Sequence, residues 1–387
     1  MAGRSGTLED LVTVPSALDS FYRGKRVLIT GHTGFKGGWL SLWLKSLGAE
    51  VWGYGLPAPT QPALYGLVRA HCFQGEQEGD VTQLEGLQRT LETSRPHVLF
   101  HLGAQPLVRK SYVEPLQTFH ANAIGTATLM EAVRLSRCAT QVVVVTTDKC
   151  YENVGKAEGY RETDPLGGHD VYSSSKAAAE LAVQSWRRCF FQTDPALGGV
   201  ATARGGNVIG GGDYAQDRLV PDAIRSLMVG EPIPVRNPAA TRPWQHVLDC
   251  LSGYLWLGAQ LARSEKTSPI NGAFNFGPNP EENKPVQEVI EGILKLWPGQ
   301  WNNLSVPGAL HEASKLNLSI SKASTLLGWK PVWPFQTTLE KTVQWYHARH
   351  KRLDSDPAML SFTLEQIASF ETSARQQGLA WASEETV

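Results

Sequence analysis

Thr147, Asp148 and Lys149 put a hydroxyl, a carboxylate and an ammonium in consecutive positions. Such a triplet can hydrogen-bond an alcohol oxygen, hand a proton to a leaving oxygen and act on an acidic C–H bond. The stretch "YSSSK" then sets Tyr172 and Lys176 four residues apart, on one face of a helix. A positive charge beside a phenol favours its ionised form and makes it a usable base. Alone, YxxxK is a pattern that many surface helices carry by chance. Upstream lies "GHTGFKG", in which Gly31, Gly34 and Gly37 have GxxGxxG spacing. Glycines there permit a tight turn and let backbone N–H groups approach a pyrophosphate at a helix N-terminus. A glycine-rich turn without a ligand is the plain alternative. The motif, however, directly follows a strand pattern and opens a helical one, the setting that a dinucleotide fingerprint needs. His32 lies inside this loop and is a cofactor contact by position.

The elements that must position these groups alternate along the chain. "KRVLITG", "EVWGYG", "HVLFHLG" and "QVVVVTTD" read as strands, and "GGWLSLWLKSLG", "LEGLQRTLETS", "PLQTFHANAIGTATLMEAVRLSR" and "DVYSSSKAAAELAVQSWRRCFF" as helices. Four consecutive valines, Val142 to Val145, belong in a strand covered on both faces. The expected fold is α/β, a Rossmann-type doubly wound parallel sheet with a smaller, irregular C-terminal substrate-binding domain rich in Gly and Pro. The expected divisions are a flexible leader over 1–20, the dinucleotide-binding domain over 21–205, the substrate-binding domain over 206–374, interleaved with the first, and a tail over 375–387. Ligands of such sheets sit at the carboxyl ends of the strands, so Thr147, Asp148 and Lys149 project towards the crevice that holds Tyr172. Reading Asp148 as a turn cap and Lys149 as a solvated charge explains each residue, but not their convergence with Tyr172 and Lys176.

The bulk composition narrows the class. A net charge of -1 gives no reason to expect nucleic acid or an anionic membrane as partner. The five cysteines never occur as CxxC, which speaks against a zinc site or a disulfide framework and suits a reducing cytoplasm. The histidines have no metal-like spacing, so no metal is expected. The opening residues lack a signal-peptide apolar run, and no stretch approaches the ~18 apolar residues of a membrane span. A soluble cytoplasmic protein is expected. One feature of a dinucleotide site is missing. The second strand ends "GYGLPAPT", without the acid that reads the ribose hydroxyls of NAD and without an arginine cluster for the 2′-phosphate of NADP. The motif leaves the choice between the two cofactors open.

Together these residues give the chain a resemblance to the extended short-chain dehydrogenase/reductase family, and within it to the nucleotide-sugar 4,6-dehydratases. The resemblance runs from about Phe21 to about Ala374. "GKRVLITGHTGFKGGWL", "HLGAQPLVRKSY", "TTDKCYEN", "YRETDPLGGHDVYSSSKAAAE", "ARGGNVIGGGDYAQDRLVPD", "RNPAATRPWQHVLD" and "FNFGP" carry it. It implies an NAD-dependent hydro-lyase on the way to deoxysugars of polysaccharides, with Thr147, Asp148, Lys149, Tyr172 and Lys176 in the active site. It implies that Gly31, Gly34, Phe35 and Gly37 hold the pyrophosphate, that Asp80 and Val81 lie near the adenine, and that Leu102 and Ala104 flank the cofactor, which Tyr172 and Lys176 also touch. Asn207 and Arg242 would hold the substrate diphosphate, and Gln105 and Thr147 the sugar. Relatives acting on dTDP-glucose usually carry Glu where this chain has Lys149; the lysine is typical of the branch acting on CDP-glucose, which is therefore the implied substrate. Lys149 would serve at C5 as a neutral base or as a charged stabiliser of the enolate, and the residues leave both open. Gly103 stands where alanine is usual, and Ser319 where the branch usually has Asp.

Two other functions share parts of this pattern. A 4-epimerase has the fold, NAD and the Tyr/Lys pair but needs no acid/base pair for elimination. A redox-sensing regulator on this fold tends to lose the tyrosine or the lysine, and both are present. The helices after residues 114 and 170 have apolar faces suited to a four-helix bundle between subunits. With the resemblance, this implies a homodimer, or a tetramer of two dimers.

Overall fold

The computed structural model describes residues 15–156, 158–305, 316–351 and 356–384. Strands β1 (Arg26–Thr30), β2 (Glu50–Gly55), β3 (Phe73–Glu78), β4 (Val98–His101), β5 (Gln141–Thr147) and β6 (Val200–Gly205) build one parallel sheet. The chain then leaves it through β7 (Asn207–Ile209), β8 (Ile233–Val235) and β9 (Thr241–His246). It returns with β10 (Ala273–Phe276), and β11 (Asn283–Pro285) and β12 (Trp301–Asn303) follow. The seven-stranded order is β10-β6-β5-β4-β1-β2-β3. Strand order reverses between β1 and β4, the place where a doubly wound sheet opens a ligand crevice. Small sheets, β11-β9-β7 and β12-β8, stand outside it.

The valine run follows from burial on two sides. Val143 and Val145 enter one buried cluster with Val27, Ile29 and Trp39, whereas Val142 and Val144 enter the opposite one with Leu28, Leu99 and Leu129. Alternate side chains of a strand face opposite ways, so a strand covered twice needs apolar residues at every position. The helices used below are α1 (Ala17–Tyr22), α2 (Phe35–Ser46), α3 (Val171–Trp186), α4 (Val247–Arg263) and α5 (Asp356–Gln376).

Two expectations need correction. The leader expected over 1–20 includes α1, closed by a capping box between Ser16 and Asp19, with Ala17 and Leu18 buried. The tail expected over 375–387 continues α5 and then buries Leu379, Trp381 and Ala382, with Trp381 against Trp43 and Phe370. The two ends are joined: Ala17 donates its N–H to Ser383 at 2.9 Å, and Ser16 bridges to Glu384. A few apolar anchors without periodicity hold both segments, which is why no repeat announces them. Residues 1–14 and 385–387 lie outside the described residues. Strand β3, "FQGEQE", is not among the expected strands: it is an edge strand with polar residues on both faces and no apolar alternation to mark it.

Candidate active site

The glycine loop joins β1 to α2 so tightly that side chains do not fit. Gly31 has φ +73°, and a Cβ there would lie 2.7 Å from the Gly103 nitrogen; one on Gly37 would lie 2.4 Å from the Gly31 oxygen. The close fit holds the loop at the start of a twelve-residue helix, where backbone N–H groups suit a dinucleotide pyrophosphate. Gly103 has its own reason: a Cβ would sit 2.7 Å from Val81 Cγ1. Thus Val81 packs beneath the end of β4, next to Leu102 and Ala104. Asp80 is oriented by Thr82, whose N–H and hydroxyl donate to Oδ1 at 2.9 and 2.8 Å. Two loop residues turn elsewhere. The Phe35 ring lies towards Gly210, and His32 is buried towards β3, with Nε2 3.0 Å from Glu76 Oε1. Burial pushes that imidazole pKa down, against the pull of Glu76.

At the end of β5, Thr147 rather than Asp148 is the cap. Its hydroxyl accepts the Lys149 N–H at 3.3 Å, starting the short helix Asp148–Cys150. The same hydroxyl donates to Asp148 Oδ1 at 2.9 Å, and Lys149 Nζ lies 3.2 Å from that oxygen. Asp148 is 1% exposed, and its Oδ2 is buried without a partner. An orphaned carboxylate oxygen in such a place is free for a ligand. Helix α3 is capped by Asp170, which accepts from the Ser173 N–H at 2.9 Å, and it carries Tyr172 and Lys176 buried on its first turns. Burial pushes the Tyr172 phenol up to about 12, while a hydrogen bond with Thr147 pulls it down. Burial, then the charge of Lys36, takes Lys176 down to about 8. Thus Thr147, Asp148, Lys149, Tyr172 and Lys176 converge.

Several contributors were not read from the sequence. Lys36 sits in the glycine motif, and its Nζ reaches Tyr254 Oη on α4 at 3.3 Å, close enough to depress Lys176. Arg218 bonds Asp213 at 2.8 Å and lies near enough to Tyr172 to favour its ionised form. Beneath the triplet, Glu180 accepts from Thr146, from Thr202 at 2.8 Å and from Arg204 at 2.7 Å. Arg204 also donates to Tyr151 Oη at 2.7 Å. Of the expected substrate residues, Asn207 opens β7 directly after Gly206, whose Cβ would lie 3.5 Å from Asp148 Oδ2. Arg242 stands in β9, beside β7, with Nη1 on the Thr241 carbonyl at 3.0 Å. The Gln105 side chain donates to Leu107 O and to Thr118 Oγ1 on the helix Pro115–Phe119, and accepts from the Leu107 N–H.

Residues 27–277 match the NAD dependent epimerase/dehydratase family. The chain is 44% identical over 336 residues to CDP-glucose 4,6-dehydratase of Salmonella typhimurium, covering 85% of this chain and 92% of that protein. It is 26% identical to dTDP-glucose 4,6-dehydratase of Xanthomonas campestris, covering 82% and 92%. Among solved structures, the fold is shared with the epimerase Mth375 of Methanothermobacter thermautotrophicus, at TM-score 0.73 and 23% identity over 87% of this chain and 95% of that one. It is also shared with dTDP-glucose 4,6-dehydratase of Bacillus anthracis in complex with NAD, at TM-score 0.69 and 22% identity over 84% and 97%.

Proposed function

Because the chain belongs to the NAD dependent epimerase/dehydratase family, we propose that it is a CDP-glucose 4,6-dehydratase, converting CDP-D-glucose to CDP-4-keto-6-deoxy-D-glucose and water. The observation that carries this reading is the pair at the end of β5. Asp148 presents one buried, unpartnered oxygen and is ion-paired to Lys149 through the other, beside Tyr172. A 4-epimerase needs the tyrosine and lysine alone, whereas a carboxyl and an amine held together serve an elimination. The extended identity to the Salmonella enzyme supports CDP-glucose as the substrate.

NAD, when bound, supplies the hydride acceptor for C4 and afterwards the donor for C6, so that it is regenerated in each cycle. The side chains do the remainder. Tyr172 takes the proton of the C4 hydroxyl, and Thr147 hydrogen-bonds the C4 oxygen. Lys176 holds the ribose and keeps the phenolate stable. The C4 ketone acidifies the C5 proton, which Lys149 takes when neutral or helps to release by stabilising the enolate when charged; Asp148 in its protonated form gives a proton to the departing C6 hydroxyl, and C5 is reprotonated once C6 has been reduced. Asn207 and Arg242, from the half of the chain between 206 and 374, hold the diphosphate. The unpaired cysteines suit a reducing cytoplasm, and among the described residues no helix is long and apolar enough to cross a membrane. The subunits pair through α3 and the helices over 108–136.

The test is incubation with CDP-, dTDP-, UDP- and GDP-linked hexoses in D₂O, followed by NMR. A 4-keto-6-deoxy product with deuterium at C5, from CDP-glucose alone, is expected. A C4 epimer, or no turnover with NAD bound, would overturn the reading. Lys149→Ala should still oxidise C4 and accumulate reduced cofactor at 340 nm without eliminating; unchanged turnover removes Lys149 from the mechanism.

A further inference from the structure

The cofactor-reading acid missing from β2 has a substitute on the neighbouring strand. β2 ends in Tyr54 and Gly55, which pair in parallel register with Gln77 and Glu78 of β3. Paired residues of adjacent strands point to the same face, ~4.8 Å apart. That face is known here from Glu76, two residues before Glu78, which holds His32 at 3.0 Å. It is known also from Gly53, opposite Glu76, where a Cβ would lie 2.5 Å from the His32 ring. Glu78 therefore stands beside Gly55, on the α2 side of the sheet, where no β2 side chain competes for the space.

This is also where the adenosine ribose must come. Gly31, first residue of the phosphate cradle, donates its N–H to the Tyr54 carbonyl at 2.8 Å, and a Cβ on Gly55 would lie 3.2 Å from the same nitrogen. The ribose of a dinucleotide held at this loop would come to the carboxyl end of β2, beside Gly55. Beyond it opens a cavity of about 800 Å³ lined by Thr33, Leu56, Glu76 and Glu78. It is roomy enough for a 2′-phosphate, so exclusion of NADP must come from charge rather than size. Two guanidiniums line it, and both are engaged: Arg69 with Glu76 at 3.3 Å and Arg349 with Asp356 at 2.8 Å. Glu76 is itself held by three donors, Tyr65 at 2.6 Å, His32 and Arg69. Glu78 is the carboxylate that nothing among the described residues engages.

We propose that Glu78 reads the adenosine ribose hydroxyls from β3 and is the residue that sets NAD over NADP in this protein. A carboxylate accepts from the 2′-hydroxyl of NAD and repels the 2′-phosphate of NADP. The competing account makes Glu78 a charge that keeps an edge strand from pairing with another chain. That would explain a charge anywhere on β3, but not its position opposite the bare Gly55.

Calorimetric titration of the full chain without sugar nucleotide tests this independently of the substrate assignment. The ligands are NAD+, NADP+ and 2′-deoxy-NAD+, on wild type, Glu78→Gln and Glu78→Lys, with circular dichroism to verify the fold. Wild type should prefer NAD+ over NADP+ and lose affinity for the 2′-deoxy analogue. Glu78→Gln should weaken NAD+ roughly tenfold, as expected for a hydrogen bond to a charged group, and respond little to 2′-deoxygenation. Glu78→Lys should invert the preference between NAD+ and NADP+. An NAD+/NADP+ ratio and a 2′-deoxy penalty that stay within twofold of wild type in both variants, or a wild type that prefers NADP+, would overturn the proposal.

Discussion

Tyr172 meets opposing influences, and their balance decides the pH at which it can act. Burial raises the phenol to about 12, and the Asp148 carboxylate pushes the same way; the Thr147 hydroxyl and Arg218 oppose them. At neutral pH such a phenol keeps its proton until a positive charge arrives beside it. An oxidised nicotinamide would bring one, adding to the Arg218 charge that already favours the ionised phenol. The reaction needs the phenol ionised, so its rate rises with pH towards the phenol's midpoint. Thr147→Val removes a downward influence and should move the limb of the kcat/KM profile to higher pH. A shift of about one unit would cost roughly tenfold below the limb and be recovered above it. Tyr172→Phe should be slow at every pH, by at least ~10²-fold. If Thr147→Val instead lowers the rate by one factor at all pH values, Thr147 positions the sugar and does not tune the phenol.

At the scale of elements, legibility followed local signal. The β1–loop–α2 unit, β5 and α3 each carry periodicity or glycine spacing in a short window, and the five groups at the triplet could be read from them. β3 could not, because "FQGEQE" alternates polar with polar and is a strand only through its pairing with β2. The bonds of the Gln105 amide to Leu107 and Thr118 exist only once the helix Pro115–Phe119 has packed beside it, and no motif announces them. Lys36 was hidden in a motif read for its glycines. The support under the triplet was invisible for a different reason: Thr146, Glu180, Thr202 and Arg204 come from three elements and meet only after folding. That support ties β5 and β6 to α3 through one ion pair, with side chains 4% and 3% exposed. Removing one partner leaves the other charged and buried. Glu180→Gln or Arg204→Met should therefore each cost about 3–5 kcal/mol. The double variant Glu180→Gln/Arg204→Met should cost clearly less than the sum, since it leaves no orphaned charge. Additive losses in denaturant titrations would mean that the two side chains matter through packing alone.

The whole molecule exposes apolar side chains in one region more than a lone subunit needs. Val113 is 80% exposed, Leu116 81%, Ile124 45% and Leu181 54%, with Tyr112, Phe119 and Phe190 adding to them. They sit on the helices over 108–124 and on α3 and its continuation to residue 191, and the helix Pro115–Phe119 packs directly against α3. Scattered apolar residues are ordinary on a surface, whereas a concentration along packed helices marks an interface. Two copies of this pair would form a four-helix layer that buries both patches. The subunit contact then bears on chemistry, because Leu181 shares α3 with Tyr172 and Lys176. Light scattering should give about twice the 42.3 kDa chain mass, or a multiple of that dimer. Leu116→Glu with Leu181→Glu places charges where the second subunit would desolvate them, and should return a mass near one chain. If α3 depends on the contact for its order, that variant should also bind NAD+ more weakly, although neither residue belongs to the cofactor site. A wild-type monomer, or a double variant that keeps the wild-type mass, would place the subunit contact elsewhere and leave these helix faces to the solvent.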